Sequence, residues 1–176
     1  MVRRVLALCA VLSLLVTSHA AGAPAPKKVT RVLIQKKAHT MKLLAADGTE
    51  VQSYTVAIGP GGLGPKRQEG DMTTPVGRYH VTTRQPSKYK IFLGIDYPTA
   101  ADWKRFNALK ASGELPKEAT IGGAIGIHGP PVSVPDVLKP AVKLRDWTAG
   151  CIAVNDDEIT EVASLVKDGT VVDIED

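Results

Sequence analysis

The chain of 176 residues has almost no cysteine, only Cys9 and Cys151. Cys9 sits in an N-terminal apolar run after Leu8 rather than after a small residue, which does not fit lipid attachment. If that run is removed, Cys151 is left alone, and one thiol cannot close an internal disulfide. A membrane-spanning stretch is missing too. The apolar run from Val5 to Val16 is 12 residues, short of the roughly 20 that cross a bilayer as a helix, so no stable membrane anchor is expected. One cysteine and scattered histidines give no paired ligand spacing, which excludes a structural zinc site. No repeat at a fixed period appears, and no interior linker divides the chain.

The N-terminus reads as a secretory signal over residues 1–20. Arg3 and Arg4 precede the apolar run, and Ser18-His19-Ala20 resembles a cleavage site, with Ala23 as a second choice. Export to the periplasm or cell wall is the expectation. Removing 20 of the 176 residues leaves 156, enough for one domain with a core. Losing Arg3 and Arg4 takes Lys+Arg from 22 to 20 against 18 Asp+Glu. A charge of about +2 predicts neither nucleic-acid nor strong membrane binding. Residues 21–28, rich in Ala, Pro and Lys, read as a flexible leader, and the domain is expected over 29–176.

Within the domain the pattern is mostly β, with two or three helices packed outside. Strands are predicted over Val29 to Gln35, Met41 to Ala45 and Val51 to Ile58, with Asp47-Gly48 as a tight hairpin turn. Gly59 to Asp71 holds five glycines and two prolines and reads as an irregular loop; its spacing fits no phosphate-cradling fingerprint. Further strands are predicted over Arg78 to Thr83, Ile91 to Tyr97, Ile121 to His128, Ile152 to Val154 and Thr170 to Ile174. A helix through Ala111 would carry Trp103, Phe106 and Leu109 on one side, either over the cleft as a lid or merely packed on the sheet. Asp136 to Leu144 reads as a short helix, and a last helix runs to Val166 from a cap at Asn155 or Asp156. The acidic run Asp156, Asp157 and Glu158 falls in that helix's first turn, where negative charge suits the dipole.

Taken alone, Cys151 reads as a small buried hydrophobe. Three features argue for a reactive thiol: an exported chain that keeps it unpaired, Gly150 beside it, and Thr148 just before. Glycine next to a nucleophile lets a substrate carbonyl approach backbone N–H groups that would stabilise an oxyanion. A thiol with a pKa of about 8.5 is little ionised at neutral pH and needs a base. His39 falls in a turn and reads as solvated; His80 points away from Tyr79 and Val81. His128, between a glycine-rich strand and the Gly129-Pro130-Pro131 turn, reads alone as a structural histidine and with Cys151 as the favoured base.

Ile127-His128-Gly129 followed by Thr148-Ala149-Gly150-Cys151-Ile152 resembles the signature of the L,D-transpeptidase catalytic domain, the YkuD-type fold. Gly59, Gly70-Asp71, Thr74 to Tyr79 and Gly169 to Val172 extend the similarity over most of the domain. The resemblance implies a mainly β, β-rich α+β domain of sandwich or barrel-like form. It implies a cysteine that attacks peptidoglycan peptide stems after an L-centred residue, releases the terminal D-residue and passes the acyl group to an amine, without metal or organic cofactor. Cys151 would be the nucleophile and His128 the base and later the acid. Gly150 and Cys151 would lend N–H groups to the oxyanion, Thr148 fills a Ser/Thr position, and Gly129 completes the His-Gly pair. The partners implied are peptide stems and, second, a wall-attached protein. Ala149 and Ala153 depart from the histidine and arginine frequent in the family, and 22 residues separate His128 from Cys151, longer than usual. The sequence is similar to a subgroup with Trp-Thr-x-Gly-Cys-Ile-Ala-Val, some members of which hydrolyse wall-protein linkages. Arg145 is the candidate replacement for the absent arginine. Hydrolysis of the same linkages and a non-catalytic wall-binding module are the alternative functions.

Overall fold

A computed structural model describes residues 27–176. The expected signal and most of the leader lie outside the described residues. Lys27 lies inside them and pairs with Asp47 at 2.7 Å. No helix among the described residues is long and apolar enough to cross a membrane.

Eight strands carry the fold: β1 Val29–Gln35, β2 Thr40–Ala45, β3 Glu50–Thr55, β4 Gly77–Ser87, β5 Lys90–Ile95, β6 Gly126–His128, β7 Ile152–Ala153 and β8 Val171–Glu175. They form one sheet in the order β3-β2-β1-β8-β4-β5-β6-β7. β1, β2 and β3 make the expected antiparallel meander. β8 then inserts beside β1 in parallel and beside β4 antiparallel, so the last strand joins the two halves.

The sheet curls until its ends meet. The chain leaving β3 pairs Ala57 with Ala153 of β7, each N–H donating to the other's carbonyl at 3.0 and 2.8 Å. The strand predicted to run to Ile58 therefore ends at Thr55, and Val56 to Ile58 crosses to the opposite edge. This closes a barrel-like sheet around Val32, Ile34, Leu43, Val56, Val81, Leu93, Ile127, Ile152 and Val172, each at most 1% exposed. Burial of this apolar surface is the main stabilising term.

Two α-helices pack outside. α1 Ala100–Ala111 starts at Thr99, whose hydroxyl and the Asp102 carboxylate cap each other's backbone N–H groups. Phe106 is buried with Leu109 packed against the same core, and Trp103 meets the Phe106 ring edge-on at 5.9 Å, so the three share a side, but Trp103 lies at its margin and is 45% exposed. Three residues turn a helix by about 300°, so spacings of three drift around the cylinder. α2 Asp156–Leu165 begins with a capping box between Asn155 and Glu158 and buries Ile159 and Val162, with Val166 beyond its end. Asp136–Lys143 is a 3₁₀ helix interrupted by Pro140. It is tied to the first turn of α2 by Lys139 to Asp156 at 2.7 Å and Lys143 to Glu158 at 2.6 Å.

The strand predicted over Ile121 to His128 shortens to its last three residues. Gly122 and Ala124 have φ of +74° and +52°, left-handed values that break an extended run. What precedes β6 is an irregular rim.

Candidate active site

Cys151 follows a tight loop whose shape is set by its own residues. The Thr148 hydroxyl donates to the Cys151 carbonyl at 2.7 Å and accepts from Gly150 N–H at 3.2 Å. Gly150 has φ +125°, and a Cβ there would stand 2.8 Å from the Thr73 carbonyl oxygen, so no other residue fits without strain. Because its N–H turns back onto Thr148, Gly150 is not a free donor to an oxyanion.

Asp146, which sequence reasoning missed, anchors the start of this loop. Its Oδ1 accepts from Ile58 N–H at 2.9 Å, and its carboxylate meets His39 Nε2 at 3.0 Å. Trp147 and Thr148 donate their N–H groups to Ile58 O at 3.1 and 3.2 Å. His39, read as merely solvated, is thus hydrogen-bonded to Asp146, a contact that braces the cysteine loop against the segment closing the barrel. Asp146→Ala leaves Ile58 N–H without its acceptor and is expected to cost about 1–3 kcal/mol, measured by urea unfolding; Asp146→Asn, which keeps an acceptor, should lose less.

His128, at the end of β6, is 2% exposed. Its Nδ1 lies 2.6 Å from Gly129 O; a carbonyl only accepts, so Nδ1 carries the proton and Nε2 is left as the acceptor. Burial pushes its pKa below the ordinary 6.5, against the opposing pull of the Gly129 carbonyl. The imidazole is neutral at pH 7. It is packed among rings: Tyr89 stacks on it at 4.3 Å and Phe92 at 6.3 Å, while Trp147 stands edge-on at 5.7 Å.

His128 and Cys151 line one cleft of about 660 Å³, with Met72, Lys88, Tyr89, Phe92, Trp147, Thr148 and Ala149 among its walls. Cys151 is half-buried, and its Sγ–H points to Ala124 O at 3.5 Å. Burial raises its pKa above the ordinary thiol value, opposed by Gly126 N–H and by the Lys66 charge. Lys66 is buried and ion-paired with Asp71 at 2.5 Å. At rest the cleft holds a thiol and a neutral imidazole, a proton donor and a proton acceptor. No cluster of three or more metal-ligating side chains occurs among the described residues.

The family model for the L,D-transpeptidase catalytic domain, YkuD, matches residues 29–174. The chain belongs to that family. The L,D-transpeptidase-family chain is 35% identical over 77 residues to YafK of Escherichia coli strain K12, a match covering 40% of this chain and 31% of that protein. Among solved structures, the helical cell shape determining protein Pgp2 of Campylobacter jejuni is 27% identical with a TM-score of 0.59, covering 85% of this chain and 48% of that one. An L,D-transpeptidase of Xylanimonas cellulosilytica, 14% identical with a TM-score of 0.52 over 86% of this chain and 62% of that one, shares the fold. The chain thus spans less than half of the Pgp2 chain and about a third of YafK.

The two departures from the family pattern have different settings. Ala149 is exposed on the cleft wall. Ala153 is fully buried where the barrel closes on Ala57, a place for a methyl group and not for a guanidinium. Arg145 does not line the cysteine cleft. It lines a separate hollow of about 430 Å³ with Pro131, Val134 and Leu138, and Trp147 forms a wall of both. α1 contributes no residue to the cleft walls, so the Pro98 to Leu115 excursion packs on the barrel rather than covering the site. Gly129 is buried beneath Tyr89, its N–H bonded to Tyr89 O at 3.1 Å.

Proposed function

We propose that this protein is an exported cysteine acyltransferase that forms a thioester with peptidoglycan peptide stems and passes it to an amine. What carries the reading is a half-buried thiol and a neutral, tautomer-fixed histidine on the walls of one cleft. In the first step His128 Nε2 takes the Cys151 proton while Sγ attacks the stem carbonyl after the L-centred residue. The C–N bond to the terminal D-residue breaks, the leaving amine receives that proton from His128, and a thioester remains. In the second step an incoming amine attacks the thioester, its proton passes through His128 to the departing sulfur, and the thiol is restored.

Oxyanion stabilisation falls to the Cys151 N–H, since Gly150 N–H is held by Thr148. Thr148 and Gly129 are positioning residues for the loop and the imidazole. The chemistry needs no metal or organic cofactor. A signal over residues 1–20, removed on export to the periplasm or wall, belongs to the same reading, as does a wall-attached protein as a second partner. Family membership and the likeness to YafK support the substrate class.

Intact mass after incubation with a carbapenem tests the nucleophile. One adduct on the wild type and none on Cys151→Ala is expected; a folded, reduced wild type that stays unmodified at neutral pH would leave a wall-binding module as the reading. Purified muropeptides with an added amine then decide the fate of the acyl group. Amine-linked products support transfer, and hydrolysed stems at every amine concentration make the protein a hydrolase of the same bonds.

A further inference from the structure

Position 153 is a buried alanine at the barrel closure rather than an arginine, and Arg145 faces another hollow. The walls of the cysteine cleft nevertheless hold one side chain that is charged at neutral pH, Lys88. Lys88 and Tyr89 form the two-residue tip of the hairpin between β4 and β5, where Ser87 pairs with Lys90. This tip is held from several directions. Tyr89 N–H donates to Ser87 Oγ at 3.0 Å, Val132 N–H to Lys88 O at 2.8 Å, and Gly129 N–H to Tyr89 O at 3.1 Å. Among the described residues Lys88 has no carboxylate partner; its Nζ stands 5.3 Å from the Tyr89 ring centroid. That ring stacks on His128 at 4.3 Å. An exposed cation therefore stands on the wall of the base's cleft, against the Tyr89 ring that stacks on His128 and on a turn tied by three hydrogen bonds, with no carboxylate paired to it among the described residues.

The reaction decides what that cation faces. His128 must hand its proton to the leaving amine, so the leaving residue passes beside His128. Consecutive residues are spaced about 3.8 Å apart, and the carboxylate of a terminal residue lies one residue beyond the scissile carbonyl. The cleft that would seat it has Lys88 as its one lysine or arginine. No acidic side chain lines the cleft, so a carboxylate meets attraction there and no repulsion.

We propose that Lys88 is a specificity-determining residue that binds the free carboxylate of the leaving residue, selecting stems that end in a carboxylate. The proposal rests on the acyl-transfer reading above and adds a subsite to it. The attacking amine occupies the place the leaving amine vacated, so Lys88 also favours amines that bear a carboxylate on the adjacent carbon.

The test compares two tetrapeptide stems, one ending in a free carboxylate and one in the carboxamide, on the wild type, Lys88→Gln and Lys88→Arg. The wild type is expected to prefer the free acid about tenfold in kcat/KM. Lys88→Gln should lose that preference by slowing far more on the acid than on the amide, and Lys88→Arg should retain most of it. Alkylation of Cys151 by iodoacetamide should be equal in all three, which shows that the site is intact. Equal use of both stems by the wild type, or an unchanged preference in Lys88→Gln, overturns the role of Lys88 while acyl transfer stands. Turnover of neither stem by an alkylatable wild type removes both.

Discussion

His128→Gln is expected to lower kcat/KM on peptide stems about a thousandfold, within the usual range for losing a positioned general base. Glutamine fills much of the space between Tyr89 and Trp147 but cannot take the Cys151 proton. Cys151→Ala should leave no thioester at all. The pH profile separates a base from packing. The His128 pKa lies below 6.5 because the ring is buried, and the proposed mechanism uses the neutral ring. Wild-type kcat/KM should fall at acid pH with a midpoint below 6.5, as the imidazole gains a proton. His128→Gln should lack that acid limb. Alkylation of Cys151 should gain rate with rising pH and pass its midpoint above the ordinary thiol value, since burial disfavours the thiolate. A wild-type profile already flat at neutral pH would mean a preformed thiolate and would contradict the neutral resting pair.

Gly59→Ala is expected to destabilise the protein by about 3 kcal/mol or more and to reduce activity with it. A Cβ on Gly59 would overlap the Met72 carbonyl and stand 3.1 Å from Gly150 Cα. Gly59 N–H also donates to the buried Thr74 hydroxyl at 3.0 Å, so the segment cannot slide away without leaving a polar group unpaired. Overpacking against backbone typically costs about 1–3 kcal/mol, and here two backbone segments would have to move together. Urea unfolding gives the loss of stability, and the iodoacetamide rate of the folded fraction reports whether the cysteine loop has shifted. Gly62→Ala is the control: a Cβ there meets nothing within 4 Å, and its φ of +90° is the only cost. A Gly59→Ala variant as stable as the wild type would show that the loop from Gly59 to Thr73 is not packed as described.

Much of this was legible because the signals are local. Asp47-Gly48 marked the hairpin, with Gly48 at φ +80°, and Asn155 with Glu158 marked the start of α2. Elimination among the histidines brought His128 forward beside Cys151, and both line one cleft. The rest of the cleft was hidden for reasons of distance and sign. Asp146 meets a histidine 107 positions away, and Tyr89 reaches His128 through the β5–β6 pairing; no spacing within one segment encodes either. Trp147 sat in the signature itself, yet nothing local said that its ring would divide two hollows and put Arg145 in the wrong one. Apolar character over Ile121 to His128 predicted a strand because hydrophobicity does not report the sign of φ at Ala124.

The resting state of Cys151 has a consequence for survival between turnovers. Peroxide and disulfides react with the thiolate, and susceptibility to oxidation follows thiolate character and exposure. Under the proposed export with removal of the signal, Cys151 has no resolving partner to recover it from a sulfenic acid. Half-buried, with Sγ–H turned to Ala124 O and its ionisation disfavoured, Cys151 presents little thiolate to an oxidant; in the proposed reaction this changes only when a substrate carbonyl is seated and His128 takes the proton. The shelter that makes the thiol need a base also keeps it reduced.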